Sequence, residues 1–165
     1  MCVLRAYGAQ CSVEDFLRGS TLFACQTYRR GEPRVPTRPD GKRWTTSGMN
    51  VAISDASWGD LPAQVVDAER FLRDNREEIR RLRAFPGVEG ITLDFPIQLR
   101  IGKSVWAQSD RFPASLVTIA GELGLNLEHR RNRTMIRSNL ALELTRLQRR
   151  TTRERWWARS STPGR

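Results

Sequence analysis

Cysteine, histidine and lysine are all scarce in this chain, and each scarcity removes a class of chemistry. The three cysteines, Cys2, Cys11 and Cys25, include no Cys-x-x-Cys pair and have no histidine beside them. That spacing suits neither a disulfide framework nor a zinc knuckle, so reduced thiols are expected. Cys11 precedes a predicted helix start, where a helix dipole would lower its pKa, but no base stands next to it. The single histidine, His129, would have to anchor any Ser-His-Asp or Cys-His site, and it falls where the chain is expected to face solvent. A phosphate loop is missing too: PDGKR at 39–43 lacks the upstream glycine and the downstream Ser or Thr that bind phosphate and magnesium. Asp55 and Asp60 flank Trp58, a placement that turn formation and helix capping explain better than metal or acid–base work. No catalytic residue, metal or cofactor is assigned, and the chain is read as a non-enzyme.

Long apolar runs are also lacking. None approaches the roughly 20 residues of a membrane-spanning helix, so no span is expected. The opening MCVLRAYGAQCS has neither the basic start nor the apolar run of a secretory signal, which makes the cytoplasm the expected location.

Positive charge is abundant but unevenly placed. The net charge is +10, and Lys42 and Lys103 are the only lysines. Residues 129–165 hold eleven arginines against Glu143 and Glu154, a balance of +9, which leaves +1 for residues 1–128. A nearly neutral domain over 1–128 is therefore followed by an arginine-rich tail over 129–165.

Hydrophobic periodicity orders the domain. Cys2, Leu4 and Ala6 alternate with Val3, Arg5 and Tyr7, predicting a first strand. Ser12 starts a short helix that Gly19 ends, and the β-prone stretch 21–28 predicts a second strand. Three prolines and two glycines in 29–43 predict an exposed loop with a turn at Asp40-Gly41. A strand follows, with Met49, Val51 and Ile53 on one face. Asp60 then caps a helix over 60–85 whose buried stripe is Val65, Ala68, Leu72, Ile79 and Leu82. Residues 91–101 alternate apolar and polar throughout, predicting a strand with one face buried and one wet. On the wet face stand Asp94, Gln98 and Arg100, while Pro96 marks an edge or bulge. A hairpin partner at 104–108, a helix led by Pro113 and a short strand at 125–128 complete the order. The prediction is an α+β fold: a mainly antiparallel sheet of about five strands with helices packed on one face, followed by a basic C-terminal tail, helical or disordered.

Residues 1–128 resemble a bacterial domain-of-unknown-function family of small α+β proteins. The resemblance is carried by YRRGEP at 28–33, Trp44 before a strand, the long charged helix over 60–85 and the closing LGLNL at 123–127. It implies no activity, cofactor or catalytic residue. It does suggest a cytoplasmic inhibitor of the immunity type, whose partner is a cognate bacterial toxin. The tail lies outside it.

Binding candidates remain. Tyr28, Trp44, Trp58 and Trp106 lie near predicted strand ends or loops, where aromatic rings are either core anchors or interface contacts, and Arg29 and Arg30 begin a basic loop suited to an acidic partner. In the tail, Ile136, Leu140, Leu144 and Leu147 fall at helical spacing. Arg146, Arg149, Arg150, Arg153, Trp156 and Trp157 are its candidates for nucleic acid. Packing of the leucines on the domain, binding of nucleic acid or an anionic membrane, and an accidental extension all fit that pattern.

Overall fold

The computed structural model describes residues 2–97 and 108–131. The chain divides into two units, Met1–Arg130 and Arg131–Arg165, and the elements below build the first. In order they are β1 (Val3–Gly8), α1 (Val13–Arg18), β2 (Gln26–Tyr28), β3 (Ser47–Ala52), α2 (Leu61–Asp74), α3 (Arg76–Ala84), β4 (Gly90–Ile97), α4 (Ala114–Glu122) and β5 (Asn126–Arg131). The strands form one sheet in the order β2-β3-β1-β4-β5, and β1 pairs antiparallel with both β3 and β4. This is the α+β arrangement expected, with five strands and four helices among the described residues.

Strand pleating sorts the side chains into two faces. Leu4 pairs with Val51 and Leu93, and Ala6 with Met49 and Ile91. These residues are buried, and they join Val13 and Phe16 of α1, Leu61 to Leu72 of α2, Ile79 and Leu82 of α3, and Leu116 and Ile119 of α4 in one core. Helices α1 to α4 therefore cover the same face of the sheet. The stripe Val65, Ala68, Leu72, Ile79 and Leu82 is buried throughout, as its spacing predicts. Truncating a fully buried member such as Leu72 to Ala is expected to cost roughly 2–5 kcal/mol.

Local chemistry departs from the sequence reading in four places. The helix over 60–85 breaks at Asn75, whose side-chain Nδ2 donates to Phe71 O at 2.9 Å. A short amide there competes for backbone carbonyls and bends the helix. The strand over 21–28 shrinks to Gln26–Tyr28, because Ser20 Oγ and Thr21 N both donate to Glu78 on α3. The wet face of β4 is not wet: Thr92 and Asp94 are 7% and 2% exposed. Pro96 lies beyond the end of β1, whose Val3 pairs with Asp94, so its missing N–H costs that ladder nothing. The last strand runs to Arg131 rather than ending at 128.

The hairpin partner predicted at 104–108 and the residues Gln98, Arg100 and Trp106 fall largely or wholly outside the described residues, as does the chain after Arg131. Among the described residues, no helix is long and apolar enough to cross a membrane.

Candidate binding surfaces

The loop over 29–43 folds into a short ribbon. Gly31 N donates to Trp44 O at 2.8 Å, Trp44 N to Glu32 O at 2.9 Å, and Arg34 N to Lys42 O at 2.9 Å. Its tip turns through two further bonds, Arg38 N to Val35 O and Gly41 N to Arg38 O, each 2.9 Å. The Arg43 side chain ties both strands of the ribbon by donating to Gly31 O at 2.8 Å. At the base, Tyr28 is buried under Trp44, the two rings stacked with centroids 4.0 Å apart. The Arg34 guanidinium lies over the Trp44 ring, 4.9 Å from its centroid. Arg29 pairs with Glu14 of α1 at 2.7 Å. A proline- and glycine-rich segment thus becomes an ordered lobe, held by one aromatic stack and one ion pair.

The lobe concentrates charge. Residues 29–43 carry six cations against Glu32 and Asp40, a balance of +4 within a domain whose residues 1–128 total +1. Arg30, Arg38 and Lys42 are exposed and make no ion pair among the described residues. Their charge is free to meet a partner.

The sheet face away from the helices continues from this lobe. Register aligns Tyr28, Gly48, Tyr7 and Gly90 in a row across four strands. Glycine is needed at both positions because the tyrosine rings occupy the side-chain space. A Cβ at Gly48 would lie 2.4 Å from Tyr28 Oη, and one at Gly90 2.6 Å from Tyr7 Cζ. The next row is polar: Gln26, Asn50, Arg5 and Thr92. Asn50 Nδ2 donates to Gln26 Oε1 at 2.8 Å. Arg5 pairs with the buried Asp94, and Arg130 Nε of β5 stands 3.5 Å from the same carboxylate. Burial raises the Asp94 carboxyl above its ordinary range, outweighing the pull of Arg5 and Arg130 in the other direction.

A cleft of about 430 Å³ lies beside Trp58. Leu61, Pro62, Val65, Ile97 and Pro113 form its apolar wall, and among the described residues Trp58, Gly59 and 108–111 also line it. Behind it, Gln64 Nε2 donates to Ser57 O at 2.8 Å, joining α2 to the segment that carries Trp58.

The residues singled out from the sequence are thus distributed over distinct places. Tyr28, Arg29, Arg30 and Trp44 come together at the base of the lobe, whereas Trp58 lines the cleft. Tyr28 is covered by Trp44, so its part is to seat that ring. Trp106, Arg146, Arg149, Arg150, Arg153, Trp156 and Trp157 lie outside the described residues. His129 stands on β5 and is exposed, as expected, with Asp110 3.6 Å away and Phe112 edge-on to its ring. Cys11 is buried, and burial raises its thiol pKa instead of a dipole lowering it. Tyr7, Gly48 and Gly90 were not legible as a set, because their row exists only once three strands are in register. Comparison with protein-family models, with curated proteins and with solved structures finds no match to this chain.

Proposed function

We propose that this chain is a non-enzymatic binding protein that covers an acidic surface of a protein partner with the lobe over 29–44. The observation that supports this reading is the lobe itself: an ordered ribbon with a balance of +4, on which Arg30, Arg38 and Lys42 make no ion pair among the described residues. Ordering the segment beforehand lowers the entropy lost on docking, and a net positive patch steers an acidic partner toward it. Inhibition of the immunity type, by occupying a toxin's surface, is the form of this activity that the family resemblance suggests.

The test is charge reversal on the free cations. In co-purification at physiological salt, the wild-type chain should retain a partner that the Arg30→Glu/Arg38→Glu/Lys42→Glu variant loses, with affinity falling at least tenfold. Equal retention by the variant, or no partner for the wild type, overturns the reading.

A second reading, nucleic-acid binding through the tail, is favoured by the +9 balance of residues 129–165. Because β5 extends to Arg131, the matching deletion begins at residue 132. Retention on DNA that is unchanged by this deletion, or insensitive to salt, counts against it.

A further inference from the structure

The cleft beside Trp58 is separate from the lobe and does not take part in the reading above. Its wall is apolar, built from Leu61 and Val65 of α2, Ile97 at the end of β4, and Pro113. Its volume, about 430 Å³, falls in the range of sites that enclose small molecules. Among the described residues two charged side chains line it, and they differ in how far they are committed. Asp110 accepts from Gln108 Nε2 at 2.7 Å and faces His129 at 3.6 Å, with only 9% of its side chain exposed. Arg111 is exposed and makes no ion pair among the described residues.

The helices add to the same balance. Ser115 near the start of α4 bonds Glu69 of α2, and Glu122 at its end pairs with Arg76 of α3. The run from α2 to α3 and the helix α4 are therefore parallel, with their positive N-terminal ends on the same side. At α2 the Asp60 carboxylate caps that end, accepting from Ala63 N at 3.0 Å. At α4 the N-cap is Pro113, a lining residue of the cleft, and no side chain caps the helix. Among the described residues around this apolar pocket, the uncommitted charge is thus positive.

We propose that this cleft binds a small amphiphilic carboxylate, its apolar body against Leu61, Val65 and Ile97 and its anionic head toward Arg111. The carboxylate supplies the acceptors that the Arg111 guanidinium lacks, and the Trp58 ring closes the apolar side.

Hexanoate, hexan-1-ol and hexylamine share one chain and differ only in the head, so titrating each into the full-length protein separates the two parts of the proposal. By ¹H–¹⁵N NMR, hexanoate should shift the amides of Gly59, Ser109 and Arg111 in a saturable way. Hexan-1-ol should bind roughly tenfold more weakly and hexylamine more weakly still. Arg111→Gln, a change at an exposed residue, should bring hexanoate down to the level of the alcohol. Val65→Trp, which fills the cleft, should abolish all three responses. Saturable shifts that map elsewhere, or no shift with hexanoate, overturn the site. Equal affinity of acid and alcohol, or hexanoate binding unchanged in Arg111→Gln, overturns the ligand class even if the tryptophan variant does not fold.

Discussion

The rings of Tyr28 and Trp44 lie face to face, with centroids 4.0 Å apart and planes 21° from parallel. Tyr28 ends the edge strand β2 and Trp44 closes the ribbon, so this contact fastens the lobe to the sheet together with the bond from Arg30 N to Ser47 Oγ at 3.1 Å. An aromatic pair of this kind adds about 0.5–1.5 kcal/mol beyond the area it buries. Removing Trp44 should therefore loosen the lobe well before it unfolds the core. In limited proteolysis, Trp44→Ala should be cut faster by trypsin after Arg34 and Lys42, while its cooperative unfolding remains intact. Cleavage rates equal to wild type would show that the backbone bonds alone hold the ribbon.

The Tyr28–Gly48–Tyr7–Gly90 row makes a pair of glycine predictions. Gly48→Ala places a Cβ 2.4 Å from Tyr28 Oη and 2.5 Å from the backbone carbonyl of Ala6. Something must shift, and a loss of roughly 1–3 kcal/mol is expected from urea unfolding. Gly121, by contrast, is within α4 and a Cβ there meets nothing within 4 Å. Gly121→Ala should raise stability by about 0.5–1 kcal/mol through helix propensity. The same sign for both variants would contradict the packing described.

Glu78 ties α3 to the segment after α1. Two hydrogen bonds from Arg81, at 2.9 and 2.6 Å, and those from Ser20 and Thr21 pull its pKa down to about 2. A carboxylate with a lowered folded pKa stabilises the protein above its unfolded value and loses that contribution as pH falls toward the folded one. Between about pH 5 and 2, wild-type stability should drop by as much as roughly 3 kcal/mol from this group. Glu78→Gln should be less stable at neutral pH and show a flatter acid limb in pH-dependent denaturation. An unchanged slope would remove Glu78 from the account.

Asp94 has the opposite sign. Burial raises its folded pKa, so it favours the folded state at low pH, and that contribution is lost as pH rises through the folded value. Asp94→Asn keeps an acceptor for Arg5 without the buried charge, and it should match or exceed wild-type stability at neutral pH. Asp94→Ala leaves Arg5 without that acceptor and should cost about 1–3 kcal/mol. Equal losses in the two variants would mean that the charge, not the hydrogen bond, is what the site requires.

Much of this architecture is local enough to be read in one dimension. The alternation of Cys2, Leu4 and Ala6 with Val3, Arg5 and Tyr7 sets the two faces of β1, and the stripe from Val65 to Leu82 sets the buried side of α2 and α3, because pleat and helical repeat are properties of the backbone. The charge division at the start of the tail and the basic composition of 29–43 are likewise fully present in the sequence. What the sequence left open depends on partners distant along the chain. Thr92 and Asp94 have the polar pattern of a wet face, yet Asp94 is buried against Arg5 and Arg130 from two other strands. Thr21 belongs to a β-prone run, yet Glu78 some 57 positions later claims its N–H. Gly48 and Gly90 look like weak points in strands until Tyr28 and Tyr7 are found lying over them.

Periodicity determined which residues face the core, since burial follows the backbone repeat. Register and long-range pairing decided where the polar groups, the tyrosines and the lobe come together, because those contacts link residues that no local pattern relates.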